Sequence, residues 1–355
     1  MEIAVIGGGI NGLSCAWKLA LDGHNVTLFE KNSLMSQTSQ ASSKLLHGGL
    51  RYLENGEFKL VFEALAERDA WLDRVPNLTK PISIIIPIYK DSLRKKWKIA
   101  LGVWIYKILS FKSKLPSPSW LTKNELLAKK NYLKSDDLIG GYEFYDGQMD
   151  DYELGIWVAN ECKKLGVTIH ENLGVDSIRI DGSLTTYDKK NYHFDRIVNV
   201  TGPWAEHLLN QSVIDSPIRL DLVRGSHIVV RRDCEQAFLL EVPGERRIFF
   251  VLPWQNRTLI GTTEVRQSLD EPIKCSDSEI QYLLDSYNHY FNEPIRLNDI
   301  EQVFSGVRPL LKSSEDPTLA TREYEISKNG NLINVFGGKW TTTCALARKV
   351  AYAVV

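Results

Sequence analysis

Residues 2–31, EIAVIGGGINGLSCAWKLALDGHNVTLFEK, constrain this chain more than any other stretch. Ile3, Val5 and Ile6 form the short β-branched run that a buried parallel strand needs. Leu13, Ala16, Trp17 and Ala20 then recur at helical spacing, and Val26, Leu28 and Phe29 make a second strand that ends at Glu30. Between the first strand and the helix stand Gly7, Gly9 and Gly12, a GxGxxG. The first glycine allows a tight turn, the second lets a pyrophosphate approach the backbone, and the third lets the helix pack on the sheet. The helix N-terminus then offers unpaired N–H groups and the positive end of its dipole to phosphates. Glu30 lies 18 positions after Gly12, where a carboxylate accepts from a ribose hydroxyl. Such a motif alone is weak evidence. With strand, helix, strand and terminal acid all in place it reads as a dinucleotide site, and Ile10, Asn11 and Lys31 are assigned to it with the glycines and Glu30.

Two later segments extend this site. HFDRIVNVTGPWAEHLL (193–209) reads as a strand from Arg196 to Val200, then Thr201-Gly202, then a helix containing Trp204. It resembles the late strand of FAD-binding Rossmann domains, whose terminal glycine passes close to the cofactor. Residues 166–195 before it read as a strand and a β-meander, which such folds insert at this point, and Val175 sits where they contact adenine. GGKWTTTCALARKV (337–350) is a Gly-Gly followed by a helix, capped by Thr341 to Thr343. Its N-terminus is expected to face the flavin where negative charge gathers on reduction. Gly338, Lys339, Trp340 and Thr341 are assigned there.

The composition is that of an ordinary soluble protein large enough for two domains: 355 residues, 43% hydrophobic and 25% charged. A net charge of −1 offers no basic field for nucleic acid. Five cysteines without a CxxC give neither a metal site nor a disulfide framework, so a reducing cytoplasm is the expectation. The opening residues lack the features of a signal peptide, and no apolar run is long enough to span a membrane.

Nine segments occur in an order that resembles FAD-dependent glycerol-3-phosphate dehydrogenase, within the D-amino-acid-oxidase-like flavoproteins. They are GGGINGL, SSKLLHGGLRYLE, YDGQMDD, TGPWAE, RGSHIVV, LPWQNRTLIGTTE, SGVRPL, ATREYEIS and GGKWTTTCALA, spanning residues 7 to 347. The chain departs from the pattern twice. It stops soon after the closing motif, without the C-terminal helical domain of longer members, and Trp340 stands where a smaller aliphatic residue is expected. The resemblance implies an α/β fold, with a Rossmann-type FAD-binding domain (1–77, 145–216, 325–355) and an antiparallel-sheet substrate or cap domain (78–144, 217–324). It implies oxidation of sn-glycerol 3-phosphate to dihydroxyacetone phosphate, a hydride passing from C2 to flavin N5 and the electrons going on to quinone. Two alternatives stay open: a flavin oxidase using O2 on this or another small hydroxy or amino acid, and a non-catalytic FAD-binding subunit.

A phosphorylated substrate calls for an arginine fork, a lysine and hydroxyls. Arg51, Tyr52, Arg322 and Lys339 lie at matching positions and are the phosphate candidates; Arg308 is placed over the reacting carbon, polarising its oxygen. His47, beside Gly48-Gly49, is the first candidate for the base, since an imidazole suits proton abstraction at neutral pH. His227 competes, and a water or another group is the third option. His24, His170, His193, His207 and His289 read as loop or surface residues. Ser42, Ser43, Lys44 and Leu45 match the flavin-contacting run of the resembled family, and His47 joins them as a cofactor contact.

Residues 92–116 stand apart. Trp97, Leu101, Trp104, Ile108 and Phe111 recur on one helical face, and residues 91–114 hold seven Lys/Arg against one Asp. A basic, tryptophan-bearing amphipathic helix is the signature of an interfacial segment on anionic lipid. The expectation is a cytoplasmic protein with a peripheral contact on that face of the membrane.

Overall fold

The computed structural model describes residues 1–129, 132–312 and 324–355. A six-stranded sheet runs Tyr324–Asn329, Leu332–Gly337, Arg196–Asn199, Glu2–Ile6, Asn25–Phe29 and Thr168–His170 across its width. All neighbours are parallel except the edge pair Tyr324–Asn329 and Leu332–Gly337. Parallel strands need covered faces, and alternate residues supply both. Ile3 and Val5 pack with Leu13, Leu154, Val158, Leu346 and Val350 of the helices Ile10–Leu21, Asp151–Lys164 and Thr343–Val354. Ala4 and Ile6 face the other way, toward Leu208 and Leu209 of helix Ala205–Gln211 and toward Val175 and Leu184 of a three-stranded antiparallel meander. Each fully buried Leu or Val there contributes about 1.5–3 kcal/mol. Gly12 is obligatory for this packing, because a Cβ on it would stand 1.9 Å from the Gly7 carbonyl oxygen.

The second sheet has ten strands and is antiparallel apart from one pair, Ala237–Glu241 beside Thr79–Tyr89. Its long strands are Thr79–Tyr89, Leu138–Met149, Leu220–Val230 and Ile300–Leu311. Leu45–Leu46, from the N-terminal part of the chain, forms one edge by pairing with Gly147 and Gln148. Helix Asp277–Tyr290 covers part of one face through Leu283, Leu284 and Tyr287. The chain is thus a Rossmann-type α/β body joined to an antiparallel-sheet cap.

Helix Lys96–Leu109 carries the amphipathic stripe, and Phe111 lies just past its end. The helix buries Val103 and Tyr106. The stripe points away from the protein: Trp97 is 63% exposed, Trp104 59% and Phe111 69%, with Leu101 and Ile108 also exposed. No described helix is long and apolar enough to cross a membrane.

Candidate active site

A cavity of about 510 Å³ is lined by residues of both sheets. At one end Gly7, Gly9, Ile10 and Asn11 form the glycine turn and helix start. The Glu30 carboxylate accepts from the amides of Gly8 (2.6 Å) and Asn32 (2.8 Å), which fixes it at the cavity wall. Lys31 lies 5.3 Å from the centre of the Tyr187 ring, and Val175, Thr201, Gly202 and Trp204 complete this end. The expected strand stops at Asn199, one residue early, because the chain turns into the Gly202–Trp204 helical turn. His207 is exposed, as its sequence context suggests, and it also lines the mouth of the cavity from helix Ala205–Gln211. His170 instead lies in a strand, half-buried and stacked on Phe29 at 5.3 Å.

The Ser- and Thr-rich loop of residues 36–46, SQTSQASSKLL, is held from below. Asp151 accepts from the amide and hydroxyl of Ser42 (3.1 and 2.7 Å) and from Lys44 Nζ (2.6 Å). Ser42, Ser43 and Leu45 line the cavity, whereas Lys44 does not. Its ammonium is turned to Asp151 and the Gln40 carbonyl, so this buried cation anchors the loop instead of facing the cofactor space. Ser39, not singled out from sequence, accepts from the Ile10 amide at 3.0 Å and also lines the cavity. The loop's run of hydroxyls was the only signal for it. Gly338, Lys339, Trp340 and Thr341 also line the cavity, and Trp340 Nε1 donates to the Ser39 carbonyl (3.0 Å). The expected threonine caps differ in detail. Thr342 is the N-cap and makes no side-chain capping bond; Thr341 Oγ1 accepts from the His47 amide (3.1 Å), and Thr343 donates to the Ile10 carbonyl (3.2 Å). These hydroxyls tie the terminal helix to two other parts of the site.

At the other end the cavity gathers His47, Tyr52, His227, Arg308 and Lys339. Lys339 Nζ lies 3.8 Å from the centre of the Tyr52 ring, whose own neighbour is the His47 ring at 6.4 Å. Arg308 donates to Thr262 Oγ1 (2.7 Å) and to Glu264 (3.4 Å). A Cβ on Gly225 would stand 2.1 Å from the Arg308 guanidinium, so the glycine of RGSHIVV makes room for it. His227 is buried, stacked on Phe304 at 4.9 Å, with Nε2 2.9 Å from Ser43 Oγ. Burial, then the charges of Arg308 and Lys44, push its pKa well below 6.5, so it is neutral at pH 7. Arg51 does not line the cavity; it lies in the helical turn Leu50–Asn55 that starts at the cavity edge. Arg322 lies outside the described residues.

The cavity suits an elongated polar ligand with a phosphate-bearing middle. Besides the glycine turn, Asn11 Oδ1 and Ser36 Oγ are buried on its wall with no partner among the described residues. Buried polar atoms are rarely left so, and a bound dinucleotide would satisfy them.

The model of the family described as FAD dependent oxidoreductase matches residues 2–353. The aerobic glycerol-3-phosphate dehydrogenase of Escherichia coli (strain K12) is 36% identical over 365 residues, covering 98% of this chain and 72% of that protein. The D-erythritol 1-phosphate dehydrogenase of Brucella abortus (strain 2308) is 35% identical, with 98% and 72% covered. A solved glycerol-3-phosphate dehydrogenase from Bacillus halodurans, complexed with FAD, shares the fold with a TM-score of 0.80 at 24% identity, over 100% of this chain and 64% of that one. With the glycine turn, the fixed Glu30 and the two-sheet cavity in place, the chain belongs to the FAD-dependent oxidoreductase family, and FAD is its cofactor.

Proposed function

We propose that this protein oxidises sn-glycerol 3-phosphate to dihydroxyacetone phosphate and passes the electrons to quinone. One observation carries the reading: two cations, Arg308 and Lys339, line the same cavity as Tyr52 and the imidazoles of His47 and His227. A phosphate dianion needs cations and a hydroxyl, and alcohol oxidation needs a proton acceptor beside them. Both relatives at 35–36% identity carry the name of a dehydrogenase for a phosphorylated polyol.

Bound FAD supplies the acceptor for the C2 hydride. The protein's own groups do the rest. Lys339 and Tyr52 bind the phosphate, and Arg308 polarises the C2 oxygen. Arg51, at the edge, and Arg322 are proposed to assist at the phosphate. His47 takes the hydroxyl proton, with His227 as the rival, since it is held neutral at pH 7. Gly7, Gly9, Ile10, Asn11, Glu30 and Lys31 hold the AMP half, together with Val175, Thr201, Gly202 and Trp204. Ser42, Ser43, Leu45, Gly338, Trp340 and Thr341 surround the flavin. The exposed Trp97, Leu101, Trp104, Ile108 and Phe111, among the lysines of residues 95–114, form the contact with the membrane surface where quinone resides.

The test is anaerobic. Glycerol 3-phosphate should bleach the bound flavin, and glycerol at the same concentration should not. Bleaching by both alike would remove the phosphate from the reading, and bleaching by neither would remove the reaction.

A further inference from the structure

Trp340 belongs to a run of four indoles that the proposed reaction does not use. Ring centroids are 5.8 Å apart for Trp340–Trp71, 6.4 Å for Trp71–Trp157 and 5.6 Å for Trp157–Trp17. The chain has nine tryptophans in 355 residues, so this one path holds nearly half of them. They come from four separate parts of the sequence: the 337–342 loop and the helices Phe58–Arg74, Asp151–Lys164 and Ile10–Leu21. Trp340 lines the cavity, Trp71 is wholly buried, and Trp157 and Trp17 are half-buried. The run therefore leads from the flavin cavity, through the core, to partly exposed rings.

Edge-to-face packing explains why such rings tolerate one another. It does not require indole at all four places, since phenylalanine packs the same way. What indole adds is ease of one-electron oxidation. A flavin excited by blue light is an oxidant able to take an electron from an adjacent indole. We propose that the four tryptophans form a hole-transfer relay, which carries an oxidising equivalent from the cavity to the surface when the bound flavin absorbs light.

The step balances as follows. Trp340 gives one electron to the light-excited flavin and becomes a radical cation. Trp71 refills Trp340, Trp157 refills Trp71, and Trp17 refills Trp157. Trp17 then releases its indole N–H proton to water and remains as a neutral radical. In sum the flavin gains one electron, and Trp17 loses one electron and one proton.

Two details bear on where the hole comes to rest. Trp71 Nε1 is buried with no partner among the described residues, so a hole there has no proton acceptor and cannot be trapped. The Arg74 guanidinium lies 5.4 Å from the Trp71 ring and 5.3 Å from the Trp17 ring. Its charge disfavours a cationic hole on either ring but does not penalise a neutral radical. The hole therefore settles where water can accept the proton.

The inference rests on FAD being bound, and the experiment keeps the two apart. The FAD-loaded protein without substrate is flashed with blue light, and flavin emission and the tryptophanyl radical absorption are followed in time. Bound FAD is quantified in every sample. The parent should show quenched flavin emission and a long-lived neutral tryptophanyl radical. Trp71→Phe should keep the quenching and lose the long-lived radical; Trp157→Phe, away from the cavity, should do the same. Trp340→Leu should lose both. A parent that holds FAD but forms no long-lived radical, or radicals of equal yield and lifetime in parent, Trp71→Phe and Trp157→Phe, would overturn the relay. Absence of FAD from the parent would instead overturn the cofactor assignment on which it stands.

Discussion

Tyr106 donates its phenol to Asp146 Oδ1 at 2.6 Å, and the Gly48 amide reaches both, at 3.1 Å from the phenol oxygen and 3.3 Å from the carboxylate. Arg68 closes the network with a 2.9 Å bond to the same carboxylate oxygen. All three side chains are buried. The exposed tryptophan helix is thereby joined through Tyr106 to the backbone amide next to His47. Tyr106→Phe removes a hydrogen bond and should cost about 1 kcal/mol. Asp146→Ala leaves Arg68 buried without that partner and should cost about 3–5 kcal/mol. Denaturant midpoints of the FAD-loaded proteins check both values. Equal losses would mean that the aspartate does not carry the network.

Arg308 is held at the cavity by Thr262 and Glu264. Arg308→Ala should lower kcat/KM for glycerol 3-phosphate by about ten- to a hundredfold, the worth of a charge-assisted hydrogen bond. Arg308→Lys should restore only part, because an ammonium lacks the planar fork. Steady-state kinetics at matched FAD content reads this out, and an unaltered kcat/KM would take Arg308 out of the site.

The two histidines separate by the rate of anaerobic flavin bleaching. The one that accepts the hydroxyl proton should slow it by about 10²–10⁴-fold when changed to asparagine. The other should not. The expectation is His47; an unslowed His47→Asn with a slowed His227→Asn would transfer the role.

Glu279 makes a pH-dependent contribution to stability. Burial raises its pKa, but hydrogen bonds from Thr263, the Ser276 amide, Arg224 and Ser226 outweigh this and hold it at about 2, against an ordinary 4.5. A carboxylate depressed on folding contributes stability above its unfolded pKa and loses it as pH falls through the folded value. The stability gap between parent and Glu279→Gln should therefore be widest above pH 4.5 and close as pH falls towards 2. A gap that stays constant over that range would rule out this linkage.

Trp97→Glu together with Trp104→Glu should weaken binding to anionic vesicles and leave turnover with a soluble dye unchanged. Each surface lysine removed from the same helix should cost a further ~1 kcal/mol of vesicle binding. Flotation with vesicles measures both; unaltered binding would make the stripe a bare surface of the cap.

What was legible in the sequence was whatever short-range geometry dictates. Gly7, Gly9, Gly12 and Glu30 were readable because a turn, a helix start and a strand end must fall at those spacings. The tryptophan stripe was readable because one helix carries all but its last member. Lys44 was not, since what turns it from the cavity is Asp151, 107 residues away. Ser39 was hidden for the same reason: its role is to accept from Ile10, 29 residues distant. His207 sits in a helix too short for its spacing to reveal which face meets the cavity. Arg51 was read from its motif, yet a motif does not say which way a helical turn aims a side chain.

Helix Ile10–Leu21 rests on helix Thr343–Val354, and the strand Glu2–Ile6 has on one side Arg196–Asn199, a strand that the ribosome delivers much later. An N-terminal domain of contiguous sequence can form its core while the remainder is still being made. This one cannot. Its glycine turn waits, strand and helix in hand, for partners near the other end of the chain. Non-local closure of that kind is slow and leaves apolar surface open in the meantime. Newly made chains should therefore depend on holding factors during synthesis, and cofactor uptake should be one of the last events in their maturation.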